Sequence, residues 1–247
     1  MQPQQQEIMH STLTTPPKPP LAPRVPSLAS GDHLTRHEFE RRYESMPELK
    51  KAELIEGVVY MPSPVRAEQH GNPHADLIGW MAFYRANTPG VRVSADASIR
   101  LDLDNEPQPD ALLYVEPAFG GLARLDDEGY LVGGPELVAE VAASTVSMAC
   151  NTKLRVYRRN NLREYIIWRV EDGALDWFVL REGEYQQLQR TSDGLLCSEH
   201  LPGLWLDPEA LLRFDLARVL QVLQQGLASP EHAAFVAQLQ QRAAAQP

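Results

Sequence analysis

"PQPDALLY", residues 107–114, is the stretch on which the fold turns. Asp110 stands between Pro109 and the run Ala111, Leu112, Leu113, Tyr114. That run has no polar alternation, as expected of a strand covered on both faces. A carboxylate at the mouth of such a strand is costly to desolvate. It is either a turn residue, since Pro-Asp pairs often open strands, or an acid with a job such as holding a metal ion.

The same question recurs twice. Glu140 lies inside "LVAEVA", flanked by Val138, Ala139, Val141 and Ala142, and Glu56 sits in "LIEGVVY". An ionised side chain within a buried strand must be paired, metal-bound or neutralised by a raised pKa. Lys153 lies 13 residues beyond Glu140, on the following helical segment. Two or three carboxylates meeting at a sheet edge would make an oxygen-ligand site for Mg²⁺. A lysine beside them would orient or activate an attacking water, or offset charge on a phosphate. That combination suits phosphodiester hydrolysis. Each residue also has an ordinary alternative: Glu140 paired with Arg163 or Arg169, Asp110 in a simple turn, Glu56 facing solvent on a hairpin, and Lys153 an exposed helix charge.

The frame for these residues is a chain of 247 residues, 43% hydrophobic and 7% aromatic, enough for one substantial domain with a mainly aliphatic core. The net charge of -10 argues against a broad nucleic-acid footprint, though not against a local basic groove. The conspicuous basic cluster is "KLRVYRRNNLR", with Lys153, Arg155, Arg158, Arg159 and Arg163. It follows the candidate catalytic strand, where a phosphate backbone would have to lie, so Arg155, Arg158 and Arg159 are candidate nucleic-acid contacts. Leu154 and Tyr157 are expected to pack toward the sheet, and Tyr157 shares a helix face with Lys153. The ordinary alternative is a solvated helix surface balancing nearby acids.

Two cysteines, Cys150 and Cys197, are too few for a disulfide framework and fit a reducing cytosol. No apolar run approaches the roughly 20 residues of a membrane helix, and the N-terminus has no apolar signal-peptide core. A cytoplasmic protein without membrane contact is expected.

Three regions follow from the pattern. Residues 1–30, rich in Pro, Gln, Ser and Thr, read as a disordered tail, in which "PPKPP" would suit a polyproline-binding partner. Residues 31–207 form the main domain, and 208–247 amphipathic helices packing on the core or on a partner. Within the domain, Thr35 and Glu38 have capping-box spacing. Residues 52–64 alternate, with Gly57 marking a hairpin turn or bulge. Residues 74–87 repeat apolar groups at helical steps. Strands are expected at 91–103, 110–115 and 136–142, then a helix at 149–160. "EYIIWRV" and "LDWFVLREG" form strands joined at Glu171-Asp172-Gly173, and "EYQQLQ" and "GLLCSEHLPGLWLD" complete the sheet. The class is α/β or α+β.

Other motifs carry less. His70 and His74 have a metal-like spacing of four. Pro73 at the helix start argues against one shared face, and no third ligand is apparent; a substrate-side role for His74 or Gln69 is the better reading. Ser144, Thr145 and Ser147 lack a nucleophile elbow and are read as caps of the 149–160 helix. "FGG" and "GGP" lack the Lys-Ser/Thr of a phosphate-binding loop.

Taken in order, Pro109-Asp110, Glu140 and a following lysine resemble the PD-(D/E)XK nuclease pattern. More specifically, "ELIEGVVYMPSP", "QPDALLY", "PELVAEVAAS" and "KLRVYRRNNLREYIIW" resemble the Uma-type family of restriction endonucleases over about residues 35–206. The resemblance implies a restriction-endonuclease-like core, a mixed β-sheet flanked by helices, here with a C-terminal helical extension. It implies a magnesium-dependent endonuclease acting on DNA, with Mn²⁺ as a substitute ion. Asp110 and Glu140 would be the metal ligands, Glu56 an extra acid from before the core strands, and Lys153 the catalytic lysine. The lysine of the short motif would stand at residue 142, which is alanine, so the role moves to the next helix. Such nucleases often act as homodimers. Relatives commonly carry an aspartate that aligns near Ala149, and "STVSMACNTK" has no acid. A catalytically inactive nuclease-fold module binding nucleic acid or protein is therefore the alternative, and an enzyme on RNA or nucleotides a further one.

Overall fold

The computed structural model describes residues 25–61, 66–143 and 146–245. In chain order the elements are α1 (Arg36–Glu44), β1 (Glu53–Ile55), β2 (Val58–Tyr60), α2 (Asn72–Asn87), β3 (Val91–Ala95), β4 (Ile99–Arg100) and β5 (Ala111–Val115). There follow β6 (Arg124–Leu125), β7 (Leu131–Val132), β8 (Leu137–Ala142), α3 (Leu154–Arg159), β9 (Glu164–Arg169), β10 (Ala174–Arg181) and β11 (Glu184–Gln187). The last are β12 (Leu196–Cys197), β13 (Trp205–Leu206), α4 (Pro208–Leu212), α5 (Leu216–Leu227) and α6 (Pro230–Ala244).

A six-stranded sheet in the order β11-β10-β9-β8-β5-β3 forms the centre. β8 and β9 run parallel and the other neighbours antiparallel, so this is the expected mixed sheet flanked by helices. A parallel pair needs a crossover connection. Residues 143–163 supply it, through a π-helical turn at Met148–Lys153 that runs into α3.

β5 and β8 are buried at every position, which explains their unbroken apolar sequences. Odd-numbered residues of both strands (Leu113, Val115, Ala139, Val141) pack with Leu77, Trp80, Met81, Val219 and Leu223 of α2 and α5. Even-numbered residues (Leu112, Tyr114, Val138, Ala142) pack with Ile99, Leu131 and Tyr157. A third cluster joins Leu28, Phe39, Leu54 and Val59. Leu28, within the expected tail, is thus buried; residues 1–24, with "PPKPP", lie outside the described residues.

Several local expectations change. Thr35 is the N-cap of α1 but makes no side-chain cap bond; Glu38 is held instead by Arg41 and Arg42. Ser147 likewise makes no cap bond, and Ser144 and Thr145 lie outside the described residues. The strand expected over 91–103 breaks at Asp96, whose φ of 50° is left-handed, and the chain resumes as β4 in a three-stranded sheet with β6 and β7. β12 and β13 pair only with each other rather than extending the main sheet. Between β1 and β2, Glu56 (φ 51°) and Gly57 (φ 75°) form a two-residue turn with both residues left-handed, the geometry that matches strand twist.

One buried carboxylate is structural. Glu164 on β9 is fully buried. Its Oε1 accepts bonds from Ser198 Oγ (2.8 Å), Glu199 N (2.9 Å) and His200 N (2.8 Å), and its Oε2 from Trp177 Nε1 (2.9 Å). It ties the loop after β12 to the sheet. An amide here would turn N–H donors toward another donor. Glu164→Gln is therefore expected to lower unfolding stability by about 2–4 kcal/mol, read as a lower urea midpoint at unchanged slope.

Candidate active site

The register Ala111↔Ala139 between antiparallel β5 and β8, carried one pair further, sets Asp110 opposite Glu140. Opposed residues of antiparallel strands project to one face. Here it is the face of Leu112, Tyr114, Val138 and Ala142, away from α2 and α5.

Asp110 is nearly buried, its side chain 5% exposed. Its Oδ2 accepts from Val141 N (2.8 Å), while Oδ1 faces His70 Nε2 (3.2 Å) and Lys51 Nζ (3.3 Å). Its backbone carbonyl meets His74 Nε2 at 2.7 Å. Burial alone would raise its pKa; the His70 bond and the Lys51 charge outweigh burial and hold it well below the usual carboxylate range. The Asp110 bond in turn raises His70 against its own partial burial.

Glu140 Oε1 accepts from Lys153 Nζ (2.7 Å) and Tyr157 Oη (3.1 Å). Lys153 Nζ also donates to Glu53 Oε1 (2.7 Å), which takes a further bond from Gln108 N (2.7 Å). Lys153 is itself buried. Burial works to discharge the ammonium, but Glu140 and Glu53 overcome it and raise its pKa. Glu140 is pushed upward by burial, with the Asp110 and Glu53 charges adding to the shift and Lys153 opposing it.

Asp110, Glu140 and Lys153 thus converge as a set. Glu56 does not join them, which corrects its expected place among the acids. It stands at the tip of the β1–β2 turn and pairs outward with Arg155 Nη2 (3.1 Å) and Arg159 Nη1 (3.7 Å). The acid that reaches the centre from this hairpin is Glu53. Its signal was the two-residue strand period from Lys51, which also faces the site, and neither was singled out from sequence. Glu140 pairs with neither Arg163 nor Arg169; the latter is held by Asp172 and Asp176. His70 and His74 do share a face, because a π-helical turn at Ala67–Gly71 leads straight into α2, and their rings lie 5.7 Å apart edge-on. Arg155, Arg158 and Arg159 all point outward, Arg158 paired with Glu184 and Arg159 Nε also 3.5 Å from Asp102. With side chains 38–53% exposed, these pairs are screened and readily exchanged.

Among the described residues no group of three His, Cys, Asp or Glu side chains forms a ready metal cage. The donors suit a hard ion bound more sparsely. Mg²⁺ is commonly held by one or two carboxylates, with water and substrate phosphate completing the shell. Asp110 and Glu140 supply two such carboxylates on one face. The hydrogen bonds to Glu140 and Glu53 both go to Oε1, and among the described residues Oε2 of neither takes one. The residues therefore fit a magnesium-type ion, not a zinc cage. No described helix is long and apolar enough to cross a membrane.

Comparison with known proteins bears on the fold and the family. A solved structure of "a putative nuclease belonging to DUF820" from Anabaena variabilis has the same fold, with a TM-score of 0.51 at 13% identity, covering 70% of this chain and 97% of that one. No curated protein matches the chain. The model of the family Uma2, described as "Putative restriction endonuclease", matches residues 36–209, from the start of α1 into α4. With that match spanning the sheet, the acids and the lysine, the chain belongs to the Uma2 family.

Proposed function

We propose that the protein is a nuclease that hydrolyses phosphodiester bonds in DNA with Mg²⁺, Mn²⁺ serving as a substitute. The observation that carries this reading is the buried Lys153 ammonium, bonded at 2.7 Å to both Glu140 and Glu53 on the sheet face that Asp110 shares. Family membership supports the nuclease class, and nucleases of the restriction-endonuclease kind generally use divalent ions.

Asp110 and Glu140 would hold the ion, with Glu53 beside them. When bound, the ion polarises the scissile phosphate and lowers the pKa of a coordinated water. Lys153, kept protonated by its two carboxylates, orients the attacking water and offsets negative charge growing on the phosphate. Tyr157 fixes the Glu140 carboxylate. Arg155, Arg158 and Arg159 exchange their exposed carboxylate partners for backbone phosphates. Little covalent chemistry is asked of the protein, so positioning and electrostatics supply most of the rate. Two chains acting together would cut both strands.

A second reading, a nuclease fold kept as a binding module, is favoured by Ala149, a buried alanine where the family resemblance leads one to look for an acid. Calorimetry separates the two. Mg²⁺ or Mn²⁺ titrated into the full chain is expected to bind, and Asp110→Asn or Glu140→Gln to abolish the heat; no binding to the native chain would favour the module.

Cleavage of supercoiled plasmid, single strands and RNA with Mn²⁺ tests the residues and the substrate together. Glu140→Gln and Lys153→Met are each expected to lower DNA cleavage by about 10³-fold or more at unchanged circular dichroism. Glu56→Gln should stay within about twofold of native, as an exposed turn residue. Full activity in both of the first two variants would refute the assignment.

A further inference from the structure

Glu106, in the loop between β4 and β5, is a further interior acid that the candidate active site does not use; it is 2% exposed. Its loop is the seam between α1 and the β1–β2 hairpin. Arg36 N donates to Leu103 O (2.8 Å) and Gly57 N to Asp104 O (2.8 Å). Glu106 and Leu54 exchange both backbone bonds, at 2.8 and 3.2 Å. Leu54 stands next to Glu53, the acid that holds Lys153. α1 has nine residues, too few to persist alone in water, so it depends on docking, which Phe39 provides by packing with Leu54 and Val59.

The groups that face Glu106 are few. α1 presents Glu40 and Arg36, and β4 presents Arg100; Tyr43 of α1 and Tyr130 before β7 lie within reach of its charge. The ion pairs of both arginines go to other acids. Arg100 meets Asp126 through Nη1 (2.6 Å), Glu128 through Nη2 (2.7 Å) and Glu40 Oε1 through Nε (2.8 Å). Arg36 Nε lies 3.3 Å from the same Glu40 oxygen, and exposed His37 reaches only Glu40 Oε2, at 3.7 Å. Neither guanidinium N–H is well aimed: Arg36 Nε, Arg100 Nε and Glu40 Oε1 are all buried without a hydrogen bond, as is Glu106 Oε2. Glu106 and Glu40 are nevertheless in hydrogen-bond contact. Two ionised carboxylates are acceptors only, so that contact needs a proton on one of them.

We propose that Glu40 and Glu106 share a single proton, and that this proton latches α1 against the hairpin that carries Glu53, releasing α1 as the solution turns alkaline. Burial, reinforced by the bond and charge of Glu40 and opposed by Arg100 and Arg36, pushes Glu106 from 4.5 up to about 8. The folded chain therefore keeps a proton that the unfolded chain gives up. Stability from the pair is full below pH 4.5, falls as the pH climbs to about 8 and is level above it. Once that proton is lost, two carboxylates repel each other across the seam, and the short helix is the element with least else to hold it. The latch does not depend on the nuclease reading.

The test is hydrogen exchange of the full chain at about pH 6 and about pH 9, corrected for intrinsic exchange rates. The amides of α1 are expected to lose protection by at least about tenfold between the two, while those of β5 and β8 keep theirs. Glu106→Gln, whose amide donates to Glu40 at either pH, should abolish the loss. Glu40→Gln, whose amide donates to an ionised Glu106, should reduce it and carries the test if the first variant does not fold. In urea unfolding, the midpoint of Glu106→Gln should gain on that of the native chain from the lower pH to the higher. Glu140 and Glu164, also raised by burial, are present in both chains and cancel in that difference. Protection of α1 that holds at the higher pH in the native chain, that falls equally in Glu106→Gln, or that falls together with β5 and β8 would overturn the latch and leave the nuclease assignment untouched.

Discussion

The ammonium of Lys153, shared between Glu140 and Glu53, is the interaction on which the site depends. Three segments far apart in sequence meet on it: the β1–β2 hairpin, the central strand β8 and the crossover into α3. Burying any one of these charges alone is prohibitive, and burying them together is tolerable only with good geometry. The two 2.7 Å bonds, with Gln108 N and Tyr157 Oη as second donors to the same Oε1 atoms, meet that condition. Removing the lysine strands two acids in the interior. The contact that holds the hairpin to the sheet therefore also sets the electrostatics of the centre.

Backbone detail delivers these groups. The antiparallel register of β5 and β8 aligns Asp110 with Glu140 across one pair. Two π-helical turns do the rest, Ala67–Gly71 carrying His70 to Asp110 and Met148–Lys153 ending on the lysine. Such turns are rare and recur at functional sites, because the extra residue re-aims a side chain that a regular helix would direct elsewhere.

What the sequence made legible follows the same division. Buried strands announced themselves by unbroken apolar runs, and an acid inside one, as at Glu140, stands out because burial makes it expensive. The face-sharing of Lys153 and Tyr157 was readable from helical spacing. Glu53 was not, because a strand of three residues gives too short a pattern to tell an inward acid from an outward one. Glu56 looked the better candidate for its apolar neighbours, yet the Glu-Gly pair forms the turn itself and carries the side chain out to Arg155 and Arg159. The shared face of the two histidines was hidden because a proline at a helix start normally marks where the helix begins, and here a wide turn precedes it.

The charge balance explains how such a centre is stable before any ion arrives. Glu140 and Glu53 share Lys153, while Asp110 draws on Lys51, His70 and the Val141 N–H. Lys153, Lys51 and His70 offset the repulsion among the acids that still raises Glu140, so the fold does not depend on a divalent ion in the way a small metal-stapled domain does. On the reading proposed above, Lys51 and His70 would have to give up Asp110 Oδ1 to a divalent ion held there. Lys51 holds Asp96 more closely than Asp110, 2.9 Å against 3.3 Å, and so keeps a partner when it yields. Asp96 thus sits beside the carboxylates through Lys51, which lies between it and Asp110. The break between β3 and β4 at Asp96 is what sets its side chain against Lys51, where a strand running on through 91–103 would continue past.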